Sequence, residues 1–234
     1  MTEIPQLVQS FSRNNEDLRE WTERVFTDLL SDNEFRWLFC NTLSYMEHIG
    51  SYKIMATQQG DVIDYPTLKH LNEETGHAVL FKRHAERFKG SGLDYAESQL
   101  IAPAYARAYF SRLEVSMVRY FGRDANYRTI YLYMSLIVEF RAVWAYEILA
   151  ECIEKAGLDF SLAKLLAEEQ GHLNSMVRRL DADGQFSREQ VEYFWEKEHW
   201  LYVRLLKAIE KSRGVENFKH VGKQETVSVA YSVA

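Results

Sequence analysis

The run of apolar and polar positions, punctuated by Gly, Pro and capping residues, divides this chain into about seven helical segments. A first helix is predicted over about 14–30. Ser31-Asp32-Asn33-Glu34 has the form of a capping box and opens a second over about 33–58, which Gly60 and Asp61 end. Pro66 falls in the first turn of a third, about 65–89, and Gly90 caps it. The stretch from Gly90 to Asn126 is too long for a turn and carries its own helix, about 103–121, opened by Pro103; it can run as a crossover. The segment 127–155 is the most apolar of all and stops at Gly157. Another helix follows over about 159–181, broken by Asp181-Ala182-Asp183-Gly184. Ser187-Arg188-Glu189-Gln190, a second capping box, opens the last helix, about 187–213. Beyond Gly214 the tail is polar, then mildly β-prone from Thr226 to Val229, and reads as a docked or frayed terminus.

The order is helix pair, long connection, helix pair. With only 3 Pro and 11 Gly in 234 residues, little room is left for a turn-rich β architecture, so one all-α domain is expected over 1–234. Its core would cover about 33–181, with additional N-terminal, crossover and C-terminal helices and a tail at 214–234.

A repeated string marks the chemistry. Glu73-Glu74-Thr75-Gly76-His77 returns, one residue changed, as Glu168-Glu169-Gln170-Gly171-His172. A Glu and a His three apart on a helix point the same way, so each copy can offer a carboxylate and an imidazole to a shared ion. The bare spacing is weak: with 34 acids and 7 His in 234 residues, chance supplies it roughly once. Glu196-Lys197-Glu198-His199 has that spacing without the doubled Glu or the Gly, and reads as a decoy. A second copy of the whole string, with a mid-helix Gly costing ~1 kcal/mol each time, is not a chance product. The paired glycines point to close approach of backbone or ligand beside each His.

Each copy lies on the second helix of a pair. That is the topology of a four-helix bundle with one long crossover, in which two helices give a lone Glu and two give Glu-x-x-His. Glu47 is the lone acid on the helix before the first copy; it lies as far from the intervening turn as Glu74 does, among Leu43, Tyr45, Met46 and Ile49. Before the second copy there are two candidates. Glu139 interrupts the most apolar run of the chain, Ile130 to Val138, where an unpaired carboxylate is costly, whereas helix depth favours Glu147. His70 shares the face of Glu74 and His77 and is either a further ligand or a polar His near the helix start. His84 continues that stripe beyond the site. Glu73 and Glu168 either receive the ring N–H of a metal-bound His or face water, and Tyr146 either reaches the metals or belongs to the core.

Composition narrows the partners. The longest apolar run falls far short of the ~20 residues of a membrane span, and Met1 to Asn15 has no signal-peptide core, so a cytoplasmic protein is expected. A formal charge of -6 gives no general reason to bind nucleic acid, and Lys82, Arg83, Arg87 and Lys89 read as a solvated helix face. Cys40 and Cys152 stand apart, so no rubredoxin-type centre can be built and electrons must come from outside.

Four carboxylates and two imidazoles make a hard, oxygen-rich site suited to two Fe(II) or Mn(II) ions that activate dioxygen. The chain resembles the ferritin-like diiron-carboxylate superfamily, and within it the aldehyde-deformylating oxygenases of cyanobacteria and their relatives. The resemblance spans about 45–180 and is carried by Ile137-Val138-Glu139-Phe140-Arg141-Ala142-Val143-Trp144-Ala145-Tyr146, Glu169-Gln170-Gly171-His172-Leu173-Asn174, Glu74-Thr75-Gly76-His77 and Ala102-Pro103. It implies a ferritin-like four-helix bundle with Glu47, Glu74, His77, Glu139, Glu169 and His172 as ligands, and so favours Glu139 over Glu147. The helix at 33–58 matches only in its Glu, the helix after Tyr146 lacks the break of those enzymes, and His70-x-x-x-Glu74-x-x-His77 is similar to a motif that three-His diiron N-oxygenases carry late in the chain.

The implied activity is a diiron oxidase or oxygenase acting on a small or medium apolar substrate, Fe/Fe or Mn/Fe, fed by an external ferredoxin or reductase, with a homodimer as one possible assembly. Tyr146 would act beside the metals. An iron-handling ferroxidase or peroxide scavenger of the bacterioferritin or rubrerythrin kind, and a diiron RNA hydroxylase, are the alternatives.

Overall fold

A computed structural model describes residues 4–58, 63–122 and 126–214. Every described element is helical: α1 (Ile4–Asn14), α2 (Glu16–Ser31), α3 (Asn33–Thr57), α4 (Tyr65–Lys89), α5 (Pro103–Phe121), α6 (Tyr127–Lys155), α7 (Ala163–Ala182) and α8 (Arg188–Gly214), with a single 3-10 turn at Glu97–Gln99 before α5. The expectations for Gly60, Asp61 and the tail after Gly214 fall outside the described residues. Among the described residues no helix is long and apolar enough to cross a membrane.

The boundaries follow local chemistry. Asp32, rather than Ser31, caps α3 by accepting from the backbone N–H of Glu34 and Phe35, while the Ser31 hydroxyl turns back to the Asp28 carbonyl. Asp64 caps α4 ahead of Pro66, and Gly90 closes it at φ 77°, a left-handed conformation that costs Gly little. Ser187 accepts from the Gln190 N–H at the start of α8, but its own N–H donates to the Tyr133 hydroxyl, so the capping box is half-formed. The start of the chain differs from expectation. The expected helix over 14–30 is α2, and a further helix, α1, precedes it, divided from it at Asn15, whose side chain donates to the Phe11 carbonyl.

α3 packs on α4 and α6 on α7, and the two pairs meet through α4 against α7 and α3 against α6. α5 and α8 pack together and cover the α3–α6 side, while α2 lies across α3 and α6. α6 is therefore enclosed almost all round, buried from Ile130 to Ile153 with few interruptions, which explains its lack of a polar stripe. Burying so many large apolar side chains, each worth ~1.5–3 kcal/mol, makes it the axis of the core. Glu139 sits in the middle of it.

Candidate metal centre

Four carboxylates and three imidazoles converge between α3, α4, α6 and α7. Their donor atoms fall into two groups that could each hold a metal ion: His70, Glu74, Glu139 and His172, and Glu47, Glu74, His77 and Glu169. Within each group the donor atoms lie within 4.8 Å of one another, and Glu74 belongs to both. None of these seven residues is more than 8% exposed, so water cannot solvate their charge.

The imidazoles are held from behind. His77 sets Nε2 3.1 Å from Glu168 on α7, and His172 sets Nε2 3.0 Å from Glu73 on α4. The outer Glu of each repeat thus receives the His of the other copy. Each outer Glu is tied in turn to a lysine one turn earlier, Lys69 to Glu73 at 2.6 Å and Lys164 to Glu168 at 3.3 Å. With Nε2 so engaged, the Nδ1 atoms of both rings face the inner carboxylates: His77 lies 3.2 Å from Glu169, and His172 lies 3.1 Å from Glu169 and 3.3 Å from Glu74. His70 is turned the other way, with Nδ1 2.9 Å from the Tyr131 hydroxyl and Nε2 3.0 Å from Glu139. One ring nitrogen inward and one anchored outward is the arrangement of metal-ligating histidines.

The inner atoms are left short of partners. Glu74 Oε1 and His77 Nδ1 are buried without a hydrogen bond, although Oε1 lies 3.3, 3.5 and 3.7 Å from nitrogens of His172, His70 and His77. An oxygen surrounded by nitrogens, with none aligned to donate, fits an ion between them. Protonation is divided accordingly. Burial, then the charges of Glu74 and Glu169, push the Glu47 carboxyl well above the carboxylate range, and burial with Glu139 and Glu74 pushes Glu169 up to about 8. Burial and Glu139 also act against ionisation of Glu74, but the imidazoles of His172 and His70 close to its carboxylate outweigh them and hold it at about 2. Against the same burial, hydrogen bonds with Glu169 and His172 hold Glu139 well below the ordinary value. Burial opposes the charge on His77, yet its contact with Glu169 raises it to about 9. Protons thus offset charge in a set of donors that cations would neutralise better.

All six residues predicted as ligands lie in this cluster. Glu139 is in it, whereas Glu147 is exposed on the far side of α6. The depth comparison that favoured Glu147 fails because α7 begins at Ala163, not near 159. Some 24 Å of helix separates Glu139 from the end of α6 and ~9 Å separates Glu169 from the start of α7. The link 156–162 makes up the difference by running back along α6, within the ~24 Å that such a stretch can reach. His70 is in the cluster. Tyr146 donates its hydroxyl to Glu47. His84 stacks on Phe160 with ring centroids 4.1 Å apart, outside the cluster.

The reading of the glycines needs correction. A Cβ placed on Gly76 or Gly171 would meet nothing within 4 Å, since both face outward. The glycine at close quarters is Gly50 on α3, whose added Cβ would lie 3.5 Å from Glu74 Oε2. The repeat itself is also longer than the five residues first seen. Lys69 and Lys164, and Leu71 and Leu166, align as well, and the one functional mismatch is His70 against Leu165. That single position gives one donor group two imidazoles and the other only one.

Two cavities reach the cluster. The larger, of about 90 Å³, is lined by Glu47, Glu74, Glu139 and Glu169 at one side and by apolar side chains including Phe39, Leu43 and Phe110. α5 and α8 close it with Tyr109, Tyr202, Leu205, Leu206 and Ile209. The smaller, of about 40 Å³, reaches His70, Glu74 and Glu139 from beside the Lys53–Glu114 ion pair. No protein-family model, curated protein or solved structure matches this chain.

Proposed function

We propose that this chain is a dinuclear iron oxidase or oxygenase that uses dioxygen on a small or medium apolar organic substrate, built on a ferritin-like four-helix bundle with α5 in its long crossover. The observation that carries this reading is the pair of donor groups joined by Glu74, with every imidazole anchored on its outer nitrogen. Carboxylates and imidazoles in that ratio suit Fe(II) and Mn(II), so Fe/Fe and Mn/Fe are both compatible. Two such ions would supply the electrons for reduction of dioxygen. Glu47, Glu74, His77, Glu139, Glu169 and His172 would hold them, with His70 as a seventh ligand, and Tyr146 would steady Glu47 through its hydroxyl.

The apolar cavity favours organic substrate over iron storage: it opens onto four of the carboxylates and would exclude water around a reacting C–H or C=O group. Cys40 and Cys152 are both buried and free, and neither belongs to a donor group, so reducing equivalents would arrive from a separate protein.

Anaerobic Fe(II) loading followed by metal analysis tests the assignment. Wild type should retain about two irons per chain, as a two-metal site requires. Because Glu74 is shared, Glu74→Ala should lose both, while Glu147→Ala should lose neither. Retention of iron by the Glu74 variant would sink the proposal.

A further inference from the structure

We infer that the apolar cavity beside the cluster carries a second, polar anchor at Arg141, which takes one neutral hydrogen-bond acceptor, such as a carbonyl or ester oxygen, on an otherwise apolar molecule. This deepens the substrate reading above and rests on it.

Arg141 lines the cavity from α6 and is only 4% exposed. A guanidinium has five N–H donors, and three of them are spent. Nε donates to Glu198 Oε1 at 2.9 Å, and Nη2 donates to Glu198 Oε2 and to Asn15 Oδ1, each at 2.7 Å. Nη1 is buried with no hydrogen-bond partner among the described residues. Leaving such a donor unmatched is costly, so the position is built for an acceptor that enters by the cavity.

The surroundings decide the charge of that acceptor. Glu198 is fully buried and already balances Arg141, and it accepts the Tyr109 hydroxyl at 2.8 Å as well. An incoming carboxylate would therefore be a second negative charge on one guanidinium in a dry site, which the Glu198 charge repels. A neutral oxygen faces no such repulsion. The guanidinium cannot swing away to other partners, since Tyr202, Trp144 and Phe11 hold it with ring centroids 4.1, 4.8 and 4.9 Å from Cζ. The cavity thus joins a donor-rich carboxylate cluster to a fixed, half-free guanidinium, with apolar walls between.

Binding to iron-free protein, followed by calorimetry and by quenching of tryptophan fluorescence, separates this inference from the iron assignment, because neither readout needs the metal. Three probes of similar length suffice: dodecane, methyl decanoate and dodecanoate. The ester should bind about tenfold more tightly than the alkane, against the order of hydrophobicity, and more tightly than the carboxylate. Ala145→Phe, which fills the cavity wall, should weaken all three. Replacing the pair together, Arg141→Met with Glu198→Leu, should erase the preference of the ester over the alkane without abolishing alkane binding. If the alkane matches the ester, or the carboxylate binds best, the inference is overturned. Should the double variant fail to fold, the wild-type series still decides. Iron retained by the Glu74 variant while the ester preference stands would remove the oxygenase reading and leave the anchor.

Discussion

Arg141 and Glu198, between α6 and α8, form a closed pair: two hydrogen bonds join them, and Asn15 and Tyr109 take up most of what remains. Around Glu74, between α3, α4, α6 and α7, four carboxylates and three imidazoles leave inner atoms without partners and divide their protons unevenly. Both regions bury charge to a similar depth. The first balances its charge by pairing within the protein and leaves only the Arg141 Nη1 donor unmatched. The second leaves inner donor atoms unmatched by the protein itself, in an arrangement that could hold metal ions. Burial alone therefore does not mark function; an unmatched donor set does.

The largest test of this contrast is a pair of isosteric changes in metal-free protein. Glu198→Gln leaves the Arg141 charge buried and unbalanced and should cost about 3–5 kcal/mol in urea unfolding. Glu47→Gln, at a carboxyl that burial and its neighbours hold protonated, should shift stability by less than about 1 kcal/mol. Equal losses would break the distinction.

A smaller effect is a slope with pH. Glu169 titrates near 8 in the folded chain against an ordinary 4.5, and His77 near 9 against 6.5. Between those limits the folded protein holds more protons than the unfolded chain. From these two groups metal-free stability should therefore be highest near pH 4.5 and fall as the pH rises towards about 9, by at most ~1.4 kcal/mol per pH unit for each extra proton held. Thermal melts across that range in chelator would read it, and Glu169→Gln should flatten the curve. A rise in stability with pH over this interval would contradict the proton sharing described for the cluster.

The smallest effect separates the inner face of the repeat from its outer face. Gly76→Ala and Gly171→Ala should each stabilise the protein by about 0.5–1 kcal/mol without altering metal retention, since the new methyl groups meet nothing. A loss of metal in either variant would return these glycines to the site.

The two regions also differed in how readable they were. The cluster announced itself through a repeat, and repeats survive the loss of three-dimensional context. Glu198 lay in the open in a different form. Val191, Phe194, Trp195, Tyr202, Leu205, Leu206 and Ile209 are buried at helical spacing, and Glu198 falls in the same stripe. A charge in an apolar stripe calls for a partner. Glu196 and His199, which share the i, i+3 spacing of the repeat, point apart: Glu196 is exposed and His199 turns to Asn15. The helix before residue 14 was overlooked because α1 is short and merges in pattern with α2, and only the Asn15 side chain separates them.

By itself the sequence determined the helical class, most helix ends and the two Glu-x-x-His pairs, because each depends on residues within a turn or two of one another. Only the tertiary structure decided what depends on distance across helices. It placed Glu139 rather than Glu147 beside Glu169, through a link that runs back along α6. It crossed Glu73 and Glu168 to the opposite histidines. It also drew His70 inward while Leu165, at the matching position of the second copy, remained part of the core. A repeat can specify which side chains share a helix face, but the partner of that face is set by how the helices pack.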